Sequence, residues 1–374
     1  MPFKSTIYSF FLLFFLSQNI VVFSQKKDSI IYSISAIYHQ GIPLFDKIEK
    51  LYFLEDFAKG GEISIIRQRF HCDAWEKDFN DLEAGISLWF STFGNSDVFG
   101  EGIILKTFAN FRIFQLGKFN AKYQIAFGPA YVTKLYHVDK NFFNFNFSSH
   151  INAYSCIGLV ANYRVSDRLS VTGNFLFHHI SNGSFRKPNN GISILNTGIG
   201  VKYNLKPLPQ NLPVYAGKTP SKSRELMGTF GMGVNRPFIA NQEKFVSGSV
   251  SLTHLWFTNK TKAYGLGVDF IHLGGAQYVF SDFNKNIFVT NKFSDNLYIG
   301  FNCTMESHLG NTSPYFTIGY YVYHKTKPTI PIYSRLGLRQ KITGNLSAHF
   351  SIKMGLLVSE FMEFGLAYRI RYKK

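Results

Sequence analysis

Apolar and polar residues alternate along most of this 374-residue chain. The alternation is clearest in residues 344–356, where successive side chains belong to two different classes. One class is Leu346, Ala348, Phe350, Ile352, Met354 and Leu356, and the other is Ser347, His349, Ser351 and Lys353. A period of two predicts a β-strand with one apolar face and one polar face. Because the pattern recurs from end to end, the sequence predicts an all-β protein.

The same alternation gives sixteen candidate strands, and fourteen is the alternative count. The candidates are residues 29–41, 60–71, 82–93, 99–116, 119–137, 147–165, 168–181, 191–206, 223–236, 244–258, 262–274, 294–307, 312–324, 330–342, 344–356 and 359–372. The chain has 40 Phe and 21 Tyr but only 45% hydrophobic residues. Many aromatic residues without long apolar runs are typical of a transmembrane antiparallel β-barrel. A soluble β-sandwich is the alternative that composition alone allows.

Four segments depart from the alternation. Residues 1–24, with Lys4 ahead of an apolar run, are predicted to be a cleaved signal peptide, and an uncleaved anchor is the alternative. Residues 45–57 have apolar residues at helical spacing and predict a short amphipathic helix over a barrel end. The proline-rich residues 207–222 divide residues 25–206 from 223–374, and residues 276–293 predict a long outer loop.

The formal charge of +17 favours an anionic partner. Secretion argues against nucleic acid, and basic loops on an outer-membrane barrel would meet the phosphates of lipopolysaccharide. Plain solubility is the alternative explanation of the charge. Three widely spaced cysteines, Cys72, Cys156 and Cys303, provide neither a disulfide framework nor metal-ligand spacing. We therefore expect no metal and no cofactor, and Asp78 and Asp81 are expected on a solvated surface. The sequence leaves the oligomeric state open.

The candidate chemistry lies at the end of the seventh strand. His179 and Ser181 continue the odd-numbered face of Leu169, Val171, Phe175 and Phe177, which is the lipid side. Residues two apart on one strand face have Cα atoms about 6.5–7 Å apart, which an imidazole can span. Histidine is the usual base for a serine nucleophile. The turn beyond, with the amide of Asn182, offers donors for an oxyanion.

The next strand and its connection add further candidates. Ser193 lies on the same outward side, and Arg186 and Lys187 in the connection suit the phosphates of a lipid head group. Polar residues on a lipid-facing strand need a reason, although their cost falls near the interface. A capped strand end without catalysis is therefore the alternative.

The segment from Phe175 to Ile192 resembles the lipid A 3-O-deacylases, the PagL or acyloxyacyl hydrolase family. The similarity lies in H-x-S-N at His179–Asn182 followed by P-N-x-G at Pro188–Gly191. The resemblance implies that His179 is the general base and Ser181 the nucleophile. It also implies an oxyanion hole at Asn182, with backbone groups near Gly183 or Ser184 as weaker candidates. The expected substrate is lipid A, which would lose one ester-linked acyl chain.

The sequence departs from the family in two respects. The family's glutamate, which orients the histidine, belongs at the position of Ser193, which can form a hydrogen bond but carries no charge. The resemblance extends loosely over residues 78–206, whereas the small deacylases have only eight strands. One enlarged barrel is the first interpretation of the extra residues, because open strand edges are costly in lipid. Two separate barrels joined at 207–222 are the second.

Three other functions compete with lipid A hydrolysis. A channel would need a wide polar lumen, a catalytically inactive barrel would fit the missing glutamate, and another lipid esterase, such as an outer-membrane phospholipase, would use the same residues. The outward direction of His179 and Ser181 favours an esterase over a channel. The other isolated histidines are expected to be structural: His150, His254, His272 and His308.

Overall fold

The computed structural model describes residues 29–45, 48–70, 78–79, 82–208, 223–236, 243–275, 293–326, 328, 330–356 and 358–372. The predicted signal peptide, Cys72, Asp81, most of the proline-rich connection and most of the 276–293 loop lie outside these residues. Within the described part, no helix is long and apolar enough to cross a membrane.

All sixteen predicted strands are present, in two closed antiparallel barrels of eight strands each. The first barrel contains β1 (Ser29–Leu44), β2 (Ala58–Phe70), β3 (Glu83–Thr92), β4 (Glu101–Leu116), β5 (Phe119–Val132), β6 (Ile151–Arg164), β7 (Leu169–Ser181) and β8 (Ile192–Asn204). The second contains β9 (Arg224–Asn235), β10 (Phe245–Asn259), β11 (Lys262–His272), β12 (Leu297–Ser307), β13 (Thr312–His324), β14 (Ile332–Thr343), β15 (Leu346–Gly355) and β16 (Val358–Tyr372).

The prediction of one enlarged barrel is therefore wrong, and the two-barrel alternative is confirmed. β8 pairs back onto β1, from Ser33↔Asn204 to Leu44↔Ser193. β16 closes onto β9 in the same way, from Phe364↔Met232 to Tyr372↔Arg224. The first and last strands of each set of eight thus pair with each other. Neither set has an unpaired edge strand, so a larger barrel is not needed to pair the edges.

Buried ion pairs fill the polar part of the first barrel. Glu62 Oε2 lies 2.8 Å from Lys106 Nζ and 3.0 Å from His39 Nε2. Glu83 pairs with both Lys122 and Lys202. An eight-stranded barrel is just wide enough for side chains to fill its interior. Charges in such an interior persist only where each finds an opposite partner.

The second barrel is filled in the same way. Arg335 lies between Asp269, at 3.3 Å, and Glu363, at 2.9 Å. Glu306 accepts from Arg339 and Arg369 nearer the other end. Across the residues that the structure describes, neither lumen is the wide polar passage that a channel requires.

Loops close the end of the first barrel at which β7 ends and β8 begins, called here the site end. The predicted helix over residues 45–57 is a short 3₁₀ helix, Ile48–Phe53. Phe45 and Phe53 pack against the apolar cluster beneath it, which confirms the expected position over a barrel end. That cluster includes Ile180, Ile192 and Ile194, the inward residues of β7 and β8. The two strands that carry the candidate site are thereby anchored from inside.

The two barrels contact each other at both ends. At the end opposite the site, the Thr261 hydroxyl donates a hydrogen bond of 3.2 Å to the carboxylate of Asp78. At the site end, the Ser184 hydroxyl donates a hydrogen bond of 2.5 Å to the backbone oxygen of Ser359. The predicted candidate residues therefore lie beside the second barrel.

Candidate active site

The candidate residues lie on the outer face of the barrel wall at the end of β7. Ile180 is fully buried in the core, so its neighbours His179 and Ser181 point away from the lumen. Along the same face, Phe175 and Phe177 are 50% and 39% exposed, whereas Ser181 is only 6% exposed. Adjacent strand residues point to opposite faces, so this placement follows from the register.

His179 and Ser193 are directly paired across β7 and β8. His179 Nδ1 lies 3.0 Å from Ser193 Oγ. In the tautomer in which Nδ1–H donates a hydrogen bond to this hydroxyl, Nε2 carries the free lone pair that a general base needs. Among the residues that the structure describes, no carboxylate forms a hydrogen bond or ion pair with this imidazole.

Gly191 brings the imidazole and the serine together. A Cβ added at Gly191 would lie 3.0 Å from His179 Cε1 and 2.9 Å from Ser181 Cβ. The histidine ring and the serine side chain therefore flank one point, with only hydrogen on the glycine between them. Gly191 also has φ +67°, which favours glycine. Within the described chain, neither His179 Nε2 nor Ser181 Oγ is engaged in a hydrogen bond.

Asn182 is occupied in holding the loops, contrary to its predicted place in an oxyanion hole. Its backbone N–H donates to Asn189 Oδ1 at 3.0 Å. Its side-chain amide donates to Ser149 Oγ at 3.0 Å and to the Arg186 backbone oxygen at 2.9 Å. Because both donors are engaged, Asn182 fixes the β7–β8 connection to the β5–β6 loop instead.

The turn after Asn182 supplies the remaining oxyanion candidates. Phe185 N donates to Asn182 O at 3.2 Å, and Gly183 and Ser184 have φ values of +61° and +67°. This is a type I′ turn, with both central residues in the left-handed region. Neither the Gly183 N–H nor the Ser184 N–H donates to a residue within the described ranges. These two N–H groups are the oxyanion candidates that the turn retains.

The β5–β6 loop fixes the other side of the connection. Gly191 N donates to Asn146 O at 3.1 Å, and Asn190 N donates to Phe145 O at 3.1 Å. The Ser148 hydroxyl donates to the Arg186 backbone oxygen at 2.9 Å. Sequence reasoning missed this support, because these residues are more than thirty positions from the strand end and carry no motif of their own.

The two basic residues of the connection differ in exposure. Arg186 is exposed, with its backbone held as described above. Lys187 is partly exposed, and its burial lowers the pKa of the ammonium group. Both lie in the same short connection as the Gly183–Ser184 turn.

His178, next to the candidate base, belongs to the lumen and not to the site. Its Nδ1 lies 2.6 Å from the Tyr154 hydroxyl, and its ring packs against Trp89 at a centroid distance of 4.5 Å. The barrel wall separates this network from the outward imidazole of His179. No group of His, Cys, Asp and Glu in the described part of the chain could hold a metal ion.

Two family models match consecutive parts of the chain. Residues 66–202 match "Lipid A 3-O-deacylase (PagL)", and residues 224–372 match "Acyloxyacyl hydrolase, C-terminal domain". The second match spans the second barrel from β9 to β16, and the first covers the first barrel from within β2 to within β8. The family resemblance predicted from the H-x-S-N and P-N-x-G motifs is thus confirmed. No curated protein matches the chain.

The chain matches solved outer-membrane proteins at low identity and low TM-score. The outer-membrane enzyme PagL is 12% identical with a TM-score of 0.33, over 44% of this chain and 97% of that one. Neisserial surface protein A is 12% identical with a TM-score of 0.29, over 46% of this chain and 96% of that one. The FrpB iron transporter from Neisseria meningitidis is 9% identical with a TM-score of 0.25, over 93% of this chain and 70% of that one.

Proposed function

We propose that this chain is an outer-membrane esterase that removes an ester-linked acyl chain from lipid A. Its first barrel matches the lipid A 3-O-deacylase (PagL) model, and its second matches the acyloxyacyl hydrolase C-terminal domain. The observation that carries the proposal is the outward position of His179 and Ser181 around Gly191. A lipid ester in the outer leaflet can reach a serine on this face, whereas it could not reach one in the filled lumen.

The chemistry assigned to the site is a serine esterase reaction. His179 Nε2 accepts the proton of Ser181 as Oγ attacks the ester carbonyl carbon. The N–H groups of Gly183 and Ser184 stabilise the oxyanion that forms. His179 then donates the proton to the departing alkoxide oxygen of the sugar. Water, deprotonated by the same imidazole, hydrolyses the acyl-serine, so the products are the sugar alcohol and a free fatty acid.

Ser193 takes the position of the family's glutamate. A hydroxyl that accepts from Nδ1 fixes the ring orientation and the tautomer, which is part of what a triad acid does. It cannot stabilise the imidazolium by charge, which is the other part. We therefore expect a slower enzyme than one with a carboxylate at this position. A barrel that binds lipid A without cleaving it is the alternative outcome of the experiment below.

The filled lumens argue against the channel alternative. The ion pairs of Glu62 and Glu83 in the first barrel, and of Glu363 in the second, occupy the space that a solute would need. Nothing in the described residues favours transport over hydrolysis.

Mass spectrometry of lipid A tests the proposal directly. Cells that express the wild type should contain lipid A lacking one ester-linked acyl chain, together with the free fatty acid. Cells that express Ser181→Ala at the same level should keep the original acyl pattern. The heat-modifiable migration of both proteins controls for folding. Identical lipid A in the two strains, both altered or both unaltered, would refute the proposed role of Ser181.

A further inference from the structure

The turn beside Ser181 is held by the second barrel. Ser184 Oγ donates to the Ser359 backbone oxygen at 2.5 Å and lies 3.2 Å from Ser359 Oγ. Arg236 N donates to the Ser184 backbone oxygen at 3.1 Å. Ser359 lies near the start of β16, and Arg236 directly follows β9. Two elements of the second barrel thus fix both the side chain and the carbonyl of one turn residue.

Gly183, the other central residue of the turn, packs on Met362 of β16. A Cβ added at Gly183 would collide with Met362 Cγ and lie 3.0 Å from its Sδ. A non-glycine residue such as Ser184 keeps a strained left-handed conformation only where the surrounding structure imposes it. The contacts with Ser359, Arg236 and Met362 are the surroundings that impose it here.

The same junction brings two arginines together. Arg236 is bonded through its backbone to Ser184, two residues before Arg186 in the first barrel. Partial burial and the like charge of Arg186 lower the pKa of the Arg236 guanidinium. Two like charges on neighbouring segments become favourable neighbours when an anion binds between them. A phosphate can accept hydrogen bonds from two guanidinium groups at once, because each planar guanidinium presents paired N–H donors to the phosphate oxygens.

We propose that the second barrel is part of the substrate site: Ser359 and Met362 position the oxyanion turn, and Arg236 joins Arg186 in binding a phosphate group of the lipid substrate. This inference rests on the proposed function and extends it, because it assigns a role in the reaction to residues 223–374. Ser359 and Met362 are positioning residues, since they act through Gly183 and Ser184. Arg236 contacts the substrate itself.

Binding measured without hydrolysis tests the role of Arg236. In the full-length Ser181→Ala protein in detergent micelles, Arg236→Ala should weaken binding of bisphosphorylated lipid A at least tenfold. Binding of dephosphorylated lipid A should not change, and Arg236→Lys should restore part of the loss. Arg168→Ala, which removes an equal charge at the opposite end of the first barrel, serves as the matched control. Unchanged binding of the phosphorylated lipid, or equal loss for both lipids, would overturn the phosphate site.

Steady-state kinetics test the positioning role. Gly183→Ala should lower kcat at least tenfold with little change in KM, because its methyl group collides with Met362 and displaces the oxyanion donors. The double variant Gly183→Ala with Met362→Ala removes the collision and should recover part of kcat. A folded double variant that is no faster than Gly183→Ala would overturn the positioning role. An inactive wild type would instead refute the proposed function, and the binding experiment would still decide the phosphate site.

Discussion

The seventh strand of each barrel carries a histidine and a serine two residues apart, and the two pairs face opposite sides of the wall. In β7, His179 and Ser181 lie on the outer face. In β15, His349 and Ser351 lie inside the lumen, 1% and 0% exposed. Spacing is identical in the two strands, so the spacing alone cannot distinguish a site from a structural pair.

The inward pair is the more complete of the two in composition. The Ser351 hydroxyl donates to Glu363 Oε2 at 2.6 Å and lies 3.4 Å from His349 Nε2. The second barrel thus brings a serine, a histidine and a glutamate together, whereas the outward serine and histidine of the first barrel have no hydrogen-bonded glutamate among the described residues. Glu363 is also paired with Arg335, and the lumen around it is filled. A complete set of groups does no chemistry where no substrate can reach it. The proposed function therefore assigns the chemistry to the incomplete set, which lies on the outer face.

Replacing the two serines in turn should give the largest difference between the barrels. Ser181→Ala in the purified protein should lower the rate of lipid A hydrolysis by about a thousandfold or more, as loss of a nucleophile does. Ser351→Ala should leave the rate within about twofold, because the inward serine takes no part. The release of fatty acid from lipid A micelles measures both. An equal loss in the two variants would show that the comparison of faces is mistaken.

Gly191 should show the next largest effect. Gly191→Ala should lower the rate about a hundredfold or more, because its methyl group would occupy the space between His179 and Ser181. Gly117→Ala in the β4–β5 turn is the matched control, since Gly117 also has a positive φ, +57°, but has open space around its Cα. Both variants share the backbone strain, and only the first has the collision. Similar rates for the two would contradict the geometry assigned to the site.

Ser193 should show whether a carboxylate improves the outward pair. Ser193→Ala should lower the rate by roughly three- to tenfold, because the imidazole loses the partner at 3.0 Å that orients it. Ser193→Glu should raise the rate, by about tenfold or more, because it supplies the charge that stabilises the imidazolium. The ratio of the initial rates of the two variants is the measurement. A Ser193→Glu enzyme that is active but no faster than the wild type would show that another group orients His179.

The smallest expected effect is on the stability of the second barrel. Ser351→Ala should reduce the free energy of unfolding by about 1–3 kcal/mol, because Glu363 loses a buried hydrogen bond but keeps Arg335 and Ser249. Ser181→Ala should change the free energy of unfolding little, because the Ser181 hydroxyl makes no hydrogen bond among the described residues. Far-ultraviolet circular dichroism during urea titration in detergent measures the free energy of unfolding of both variants. A larger loss for Ser181→Ala would mean that Ser181 is a structural residue.

The strands and their faces could be predicted from the sequence because alternation is local. The bounds of β7 and β8 and the outward direction of His179, Ser181 and Ser193 follow from a period of two counted from residues such as Phe175. The number of barrels does not follow from that period. Closure depends on the pairing of β1 with β8, residues far apart in sequence, and the alternation is the same in one large barrel and in two small ones.

The roles of individual loop residues also could not be predicted from the sequence. Asn182 is a good candidate donor by type, but Asn189 and the β5–β6 loop, which engage it, are recognised only in three dimensions. Gly191 stood in the P-N-x-G motif as a turn residue, and its place between the imidazole and the serine depends on how the turn folds back. Met362 and Ser359 carry no signal at all, since their contact with Gly183 and Ser184 joins two barrels.

Covalent labelling of the serine tests the central claim most directly. A lipophilic fluorophosphonate added to outer membranes that contain the protein should modify Ser181, and peptide mass spectrometry should locate the adduct there. His179→Ala should abolish the modification, because the hydroxyl loses its base. Ser351 should stay unmodified in every sample. Hydrolysis of lipid A by a protein that is labelled at another serine, or at none, would contradict the assignment of the lipid-facing pair as the active site.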